Sequence, residues 1–137
     1  MADPGSYLLV VDCERAADIE VGALGSRSFE EGLYAYAGSA FGPGGLSRVD
    51  RHRRIANGDH DVRHWHIDYL LGADGVDIAP VELFPDRDVE CALATALQDA
   101  GVDCVVRFGA SDCGCPSHLW GPTNRSTLRA VVDSIQK

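Results

Sequence analysis

A chain of 137 residues with 45% hydrophobic and 24% charged residues is long enough for one packed domain and too apolar for wholesale disorder. Twenty-one acids against twelve bases give a net charge of −9, which ordinarily opposes binding to a polyanion, so nucleic acid would have to be held by local, specific contacts. No run approaches a membrane span, and the apolar stretch Tyr7 to Val11 is too short for a targeting signal and lacks a basic region before it; the expectation is a cytoplasmic protein with no membrane partner.

Gly5-Ser6-Tyr7-Leu8-Leu9-Val10-Val11-Asp12 is an apolar run bounded by Pro4 and Gly5, the pattern of a buried strand. Ile19 to Gly22 alternates, and Ala23 to Glu31 is broken by glycine and serine, so a strand and a turn lead antiparallel into Gly32 to Ala37. There Tyr34 and Tyr36 share one strand face. Gly38 is expected to end the strand and open a glycine loop that reaches Gly45. Leu46 to Ala56 reads as an arginine-rich helix stopped by Asn57-Gly58, with Arg48 and His52 on one face, Asp50 and Arg54 on another, and Arg51 and Arg53 elsewhere. His64 to Leu71 reads as a short helix closed by Gly72, although the alternation of His64 and His66 also permits a strand.

Val76 to Phe84 has strand character, and Pro80, which has no N–H to donate, moves it to a sheet edge. Asp88 to Ala100 is the clearest helix, with Asp88 as its cap, Val89, Ala92, Leu93, Ala96 and Leu97 as its apolar stripe and Gly101 as its stop. Cys104 to Phe108 reads as a strand, and Gly109 to Trp120 as turn-rich. Thr123 or Asn124 then caps a final helix carrying Leu128, Val131, Val132 and Ile135. These elements sum to a single α/β (α+β) domain over residues 1–137, with a core at about 5–100 and a small central mixed or antiparallel sheet flanked by helices.

A glycine loop that feeds a helix N-terminus bearing Arg48 and His52 can hold phosphate. The loop lacks the Gly-Lys-Ser/Thr of a P-loop, which excludes triphosphate binding of that kind. Gly5-Ser6-Tyr7, Tyr36-Ala37-Gly38, Arg48 with His52, and Glu90 follow, in order, the signature of the GIY-YIG nuclease superfamily. The strings Tyr34 to Gly45, His64 to Leu71, Glu90-Cys91 and Ser111 to Leu119 resemble its small Uri-type branch, so the resemblance covers most of the chain and leaves out the last helix. Gly32-Leu33-Tyr34 mimics the first motif, but only Ala35 separates it from Tyr36, which leaves no room for a turn and a second strand. Serine replaces the usual middle isoleucine of the first motif and alanine that of the second; both positions point away from the tyrosines, so the departures are expected to affect packing more than chemistry.

The resemblance implies a metal-dependent endonuclease that hydrolyses DNA phosphodiesters, structure-guided or weakly sequence-specific, in repair or recombination. In that scheme Tyr7 is the base towards water, although an isolated tyrosine has a pKa of about 10 and so needs help from a cation or a metal-bound water. Arg48 would supply that cation and neutralise charge on the phosphate, Glu90 would hold one Mg²⁺ or Mn²⁺, and Tyr36 and His52 would position phosphate or water. Gly38, Ser39, Arg51, Arg53, Arg54, His64 and His66 are the expected nucleic-acid contacts.

Each site residue also has a plainer reading: Tyr36 as a core aromatic, His52 as a surface residue, Glu90 as a carboxylate favoured by a helix dipole, and the arginine helix as a solvated face. Five cysteines suggest free thiols or a metal site; Cys113, Cys115 and His118 offer zinc ligands at a spacing unlike a standard finger, and a turn with buried thiols is the reading preferred here. The alternatives in other classes are a non-catalytic nucleic-acid-binding or regulatory module and a zinc-stabilised interaction protein. The DNA partner is left open between single-stranded, duplex and branched, as is a protein partner or homodimer.

Eleven of the twelve bases are arginine, Lys137 is the single lysine, and aspartate far outnumbers glutamate. Such composition resembles proteins of salt-loaded, halophilic cytoplasms, where the Debye length shrinks to about 3 Å near 1 M salt and acidic self-repulsion is screened. Circular dichroism through thermal melts in a KCl series is therefore expected to show a midpoint that climbs into the molar range. Equal stability in dilute buffer and in molar KCl would contradict the halophilic reading.

Overall fold

Leu8, Leu9, Val10 and Val11 place apolar side chains on both faces of one strand, so that strand must be covered on both sides. In the computed structural model, which describes residues 4–20, 25–39, 45–56, 66–73, 75–103 and 119–136, the strand is β1 (Gly5–Cys13), and it lies inside a four-stranded sheet. After it come β2 (Ala17–Glu20), β3 (Ser26–Phe29) and β4 (Gly32–Ser39), then a 3-10 turn at Gly45–Ser47. Next are α1 (Arg48–Ala56), α2 (His66–Leu71), β5 (Val76–Pro85), α3 (Glu90–Asp99), β6 (Leu119–Thr123) and α4 (Arg125–Gln136). The sheet order is β5-β1-β4-β6 with every pairing antiparallel, and β2 and β3 form a separate hairpin. A small antiparallel sheet flanked by helices is the expected fold class.

Alternation along β1 and β4 sorts the core into two layers. On one face Tyr7, Leu9, Val11, Tyr34 and Tyr36 pack with Val49 and Ile55 of α1 and Ile67, Leu70 and Leu71 of α2, and the β2–β3 hairpin adds Ile19 and Phe29. On the other, Leu8, Val10, Ala35 and Ala37 pack against Leu93 and Leu97 of α3 and Leu128, Val131 and Val132 of α4. At about 1.5–3 kcal/mol for each large side chain removed from water, these two layers carry most of the drive to fold.

β5 is an edge strand, as Pro80 requires. Leu9 pairs with Val81 and Val11 with Ile78, so two residues, Ala79 and Pro80, oppose Val10 alone, a bulge that absorbs the missing donor. Asn124 caps α4, its Oδ1 accepting the Thr127 N–H at 2.9 Å. α2 is a helix, closed as expected where the Gly72 N–H donates to the Asp68 carbonyl at 3.0 Å. Among the described residues no helix is long and apolar enough to cross a membrane.

Four expectations are corrected. Gly38 does not end its strand, which continues to Ser39, because the β1 partner extends to Ser6 opposite it. Ser26–Phe29 is a strand, not only a turn, paired with β2 in a hairpin whose local polar alternation is weak. The N-cap of α3 is Val89 instead of Asp88, and Ala94 is buried in that helix while Ala92 is exposed. Leu119 and Trp120, read as part of a turn-rich stretch, begin β6, which pairs with β4 and contains a cis Gly121–Pro122 bond. The expected strand Cys104–Phe108, most of the Gly109–Trp120 turn and the Asn57-Gly58 stop lie outside the described residues.

At the far end of β1 the Cys13 thiol is pushed up from 9.0 to about 11, first by burial and then by the charge of Asp12. Tyr34, whose hydroxyl donates to the Glu30 carbonyl at 2.9 Å, is pushed up from 10.0 to about 12, chiefly by burial and then by Cys13. Both groups are held neutral in the fold, so the unfolded chain loses these protons first and binds fewer of them as pH rises. Stability from this source is intact below pH 9.0 and declines towards pH 11 for Cys13, and it declines between 10.0 and 12 for Tyr34. Urea midpoints measured across alkaline pH are expected to drop above about pH 9, and the Cys13→Ala variant should show a shallower drop. An unchanged slope in that variant would rule out the thiol as a source.

Candidate active site

The pairing of β1 with β4 sets Tyr7 directly opposite Gly38 and Leu9 opposite Tyr36. Gly38 has no side chain, and the Tyr7 ring lies across the space one would fill: a Cβ built there would stand 2.5 Å from both Cε2 and Oη of Tyr7. Gly5 is constrained similarly, since a Cβ on it would come within 2.5 Å of the Phe84 carbonyl oxygen of β5. Glycine is needed in both motifs for close approach of a neighbouring chain or ring.

Across the sheet face, α1 presents Val49, His52 and Ile55, three apart, as its buried side, while Asp50, Arg53 and Arg54 are exposed. His52 is 0% exposed and Tyr7 2%. The Tyr7 hydroxyl and His52 Nε2 share a hydrogen bond of 2.9 Å, with ring centroids 5.5 Å apart. Tyr36 meets the same imidazole edge-on at 6.2 Å. Tyr7, Tyr36 and His52, separated by up to 45 positions, thus form one buried aromatic cluster, and His52 is not the surface residue of its plainer reading. Tyr34 shares the sheet face but packs edge-on to Phe29, away from this cluster's hydrogen bond.

Chemically, the Tyr7–His52 bond can run either way. With the imidazole hydrogen on Nδ1, the phenol donates to Nε2 and the ring can draw the proton off; with it on Nε2, His52 donates and steadies a phenolate.

Arg51 departs from its expected role. Its Nη1 and Nη2 donate to Oδ1 and Oδ2 of Asp68 at 3.0 and 2.9 Å, a two-pronged ion pair with Asp68 0% and Arg51 16% exposed in side-chain area. The fork braces α1 against α2 instead of facing a phosphate, and removing one partner from so buried a pair costs about 3–5 kcal/mol. Arg53 and Arg54 remain on the solvent side of α1. Arg48 opens α1 one turn before His52, Ser39 closes β4 and His66 opens α2, but the side chains of these three lie outside the described set. His64, Cys113, Cys115 and His118 lie wholly outside it.

Glu90, half-buried, is the first residue of α3, where the helix dipole favours a carboxylate. The N-cap residue, Val89, makes no side-chain cap bond. The bond comes instead from Ser6, whose Oγ accepts the Val89 N–H at 3.0 Å and donates to the Arg87 carbonyl at 2.8 Å. Ser6 is fully buried, so the start of α3 is tied to the residue before Tyr7. The serine, expected from the sequence to affect packing, carries one sign of this role, a lone hydroxyl in an apolar strand. Among the described residues no group of three or more His, Cys, Asp or Glu is arranged for a metal. One carboxylate completed by waters and substrate phosphates is the donor set Mg²⁺ and Mn²⁺ accept, so Glu90 fits such an ion.

A family model described as a domain of unknown function, DUF123, matches residues 6–137. No curated protein and no solved structure matches the chain.

Replacing Gly38 by alanine should force the Tyr7 ring off its seat. The expected result is a destabilisation of about 1–3 kcal/mol in urea unfolding, the usual cost of overpacking, with a displaced Tyr7 ring resonance in NMR spectra. Wild-type stability and an unmoved Tyr7 signal would contradict the packing described.

Proposed function

We propose that this chain, which belongs to the DUF123 family, is a GIY-YIG-type endonuclease that hydrolyses DNA phosphodiester bonds with the help of Mg²⁺ or Mn²⁺. The observation that carries the reading is the Tyr7–His52 hydrogen bond, because a tyrosine serves as base near neutral pH only with a partner for its proton or its charge. That the first and second glycine motifs pair across the sheet, with Gly38 seating Tyr7, supports it further.

In this scheme Tyr7 takes the proton of the attacking water and His52, hydrogen-bonded to the Tyr7 hydroxyl, either relays it or holds the phenolate. Tyr36 packs the imidazole in place. Arg48, from the first position of α1, neutralises charge on the scissile phosphate, and the exposed Arg53 and Arg54 hold the backbone of the bound strand. Glu90 holds the divalent ion, which when bound supplies Lewis-acid stabilisation of the departing oxygen. Because the protein carries a net charge of −9, binding would rest on these few basic contacts, a pattern suited to structure-guided or weakly specific cutting in repair or recombination.

Labelled single-stranded, duplex and branched DNA incubated in high salt with Mg²⁺ or Mn²⁺ is expected to be nicked. Tyr7→Phe, Arg48→Ala and Glu90→Ala should each reduce the rate by about 10²–10⁴-fold. Clean protein that binds DNA but cuts none of these substrates would point to a non-catalytic binding module. A Glu90→Ala variant as fast as the parent would refute the metal role.

A further inference from the structure

We infer that Ser6 is a positioning residue for the metal carboxylate. The inference rests on the nuclease reading, which makes Glu90 the ligand. Tyr7 and Ser6 are neighbours on β1 and project to opposite faces of the sheet. Tyr7 faces the layer of α1 and α2, where His52 receives it. Ser6 faces the turn that leads into α3, and its Oγ bridges two groups there, the Val89 N–H at 3.0 Å and the Arg87 carbonyl at 2.8 Å. Val89 directly precedes Glu90, and the Val89 carbonyl already accepts the first helical bond, from Leu93 at 2.8 Å. Ser6 therefore clamps the two peptide groups, Arg87–Asp88 and Asp88–Val89, that lead into Glu90, while the Leu93 N–H holds the carbonyl of the next one.

Two features make the clamp more than generic packing. Ser6 is fully buried, so no water can substitute for the hydroxyl without a rearrangement, and the two groups it satisfies would both be left wanting by an apolar residue of the same size. The N-cap residue, Val89, has no side chain that can hydrogen-bond, so its N–H is held by this long-range contact between residues 83 positions apart. The isoleucine usual at the middle of the first motif has no hydroxyl to make these bonds. In this chain, base and metal carboxylate are thereby tied through adjacent residues of one strand, and motion of one relative to the other is limited by two hydrogen bonds.

The test measures Mn²⁺ binding by electron paramagnetic resonance on the full chain with a non-cleavable phosphorothioate duplex, alongside amide exchange by NMR. In the parent, the Val89 amide should exchange slowly. Ser6→Ala should accelerate Val89 exchange and weaken Mn²⁺ binding by roughly tenfold, the lower end for loss of an outer-shell partner, while duplex affinity in chelator changes less than about twofold. Ser6→Thr, which keeps the hydroxyl, should stay within about threefold of the parent for Mn²⁺. Fast Val89 exchange in the parent would overturn the clamp even if Ser6→Ala cannot be obtained folded. Ser6→Ala equal to the parent in Mn²⁺ affinity, or equal losses in Ser6→Ala and Ser6→Thr, would remove the role of Ser6 and leave the nuclease reading standing. A parent that neither binds Mn²⁺ nor cuts, or a Glu90→Ala variant with parental Mn²⁺ affinity, would overturn the reading and this inference together.

Discussion

The register between β1 and β4 is the constraint on which the site depends. With Tyr7 opposite Gly38, the phenol ring crosses a position that has no side chain, and its hydroxyl reaches His52 on the helix above. A slip of one residue would turn Tyr7 to the other face and replace the open seat with Ala37 or Ser39. The register is well protected against that slip. Leu9, Val11, Tyr34 and Tyr36 enter one core layer and Leu8, Val10, Ala35 and Ala37 the other, so a shift would misplace both layers at once.

Because β1 is buried on both sides, consecutive residues serve different layers. Tyr7 engages α1 and Ser6 engages the start of α3, which brings two helices from opposite faces of the sheet to one end of one strand. The far end of the strand has a different character: Cys13 and Tyr34 are held neutral there by burial, a setting suited to packing and not to proton transfer at ordinary pH. The two ends of β1 thus gather different groups, the Tyr7–His52 hydrogen bond at one and the buried Cys13 and Tyr34 at the other.

The arginine-rich helix divides its labour in the same way. Its buried side, Val49, His52 and Ile55, locks onto the sheet; Arg51 turns sideways to Asp68 and fastens α2; Arg53 and Arg54 stay in solvent. A run of charge that looks uniform in one dimension therefore has three different environments. Burial of a histidine and an ion pair in one helix costs free energy that the surrounding apolar layer must offset, which is consistent with the dense packing of Ile67, Leu70 and Leu71 beneath it.

Much of this was legible in the chain itself. The continuous apolar run of β1, Pro80 in an edge strand, the Asn124 cap and the paired glycine motifs are local signals, because strand alternation, a missing donor, a capping side chain and a close approach each leave a mark within a few residues. The meeting of Tyr7, Tyr36 and His52 was foreshadowed too, through the order of their motifs. Other features depended on partners far away in sequence: Arg51 looks like any phosphate-binding arginine until Asp68 is beside it, and Ser6 looks like a packing substitution until Val89 and Arg87 close on its hydroxyl. Gly38 likewise reads as a strand end until Tyr7 is laid over it. Composition and periodicity determined most of the elements, β3 and β6 excepted, and most of the faces they bury. Only the tertiary structure decided which polar atoms meet, since hydrogen bonds and ion pairs depend on distances of about 3 Å between segments that the one-dimensional pattern does not relate.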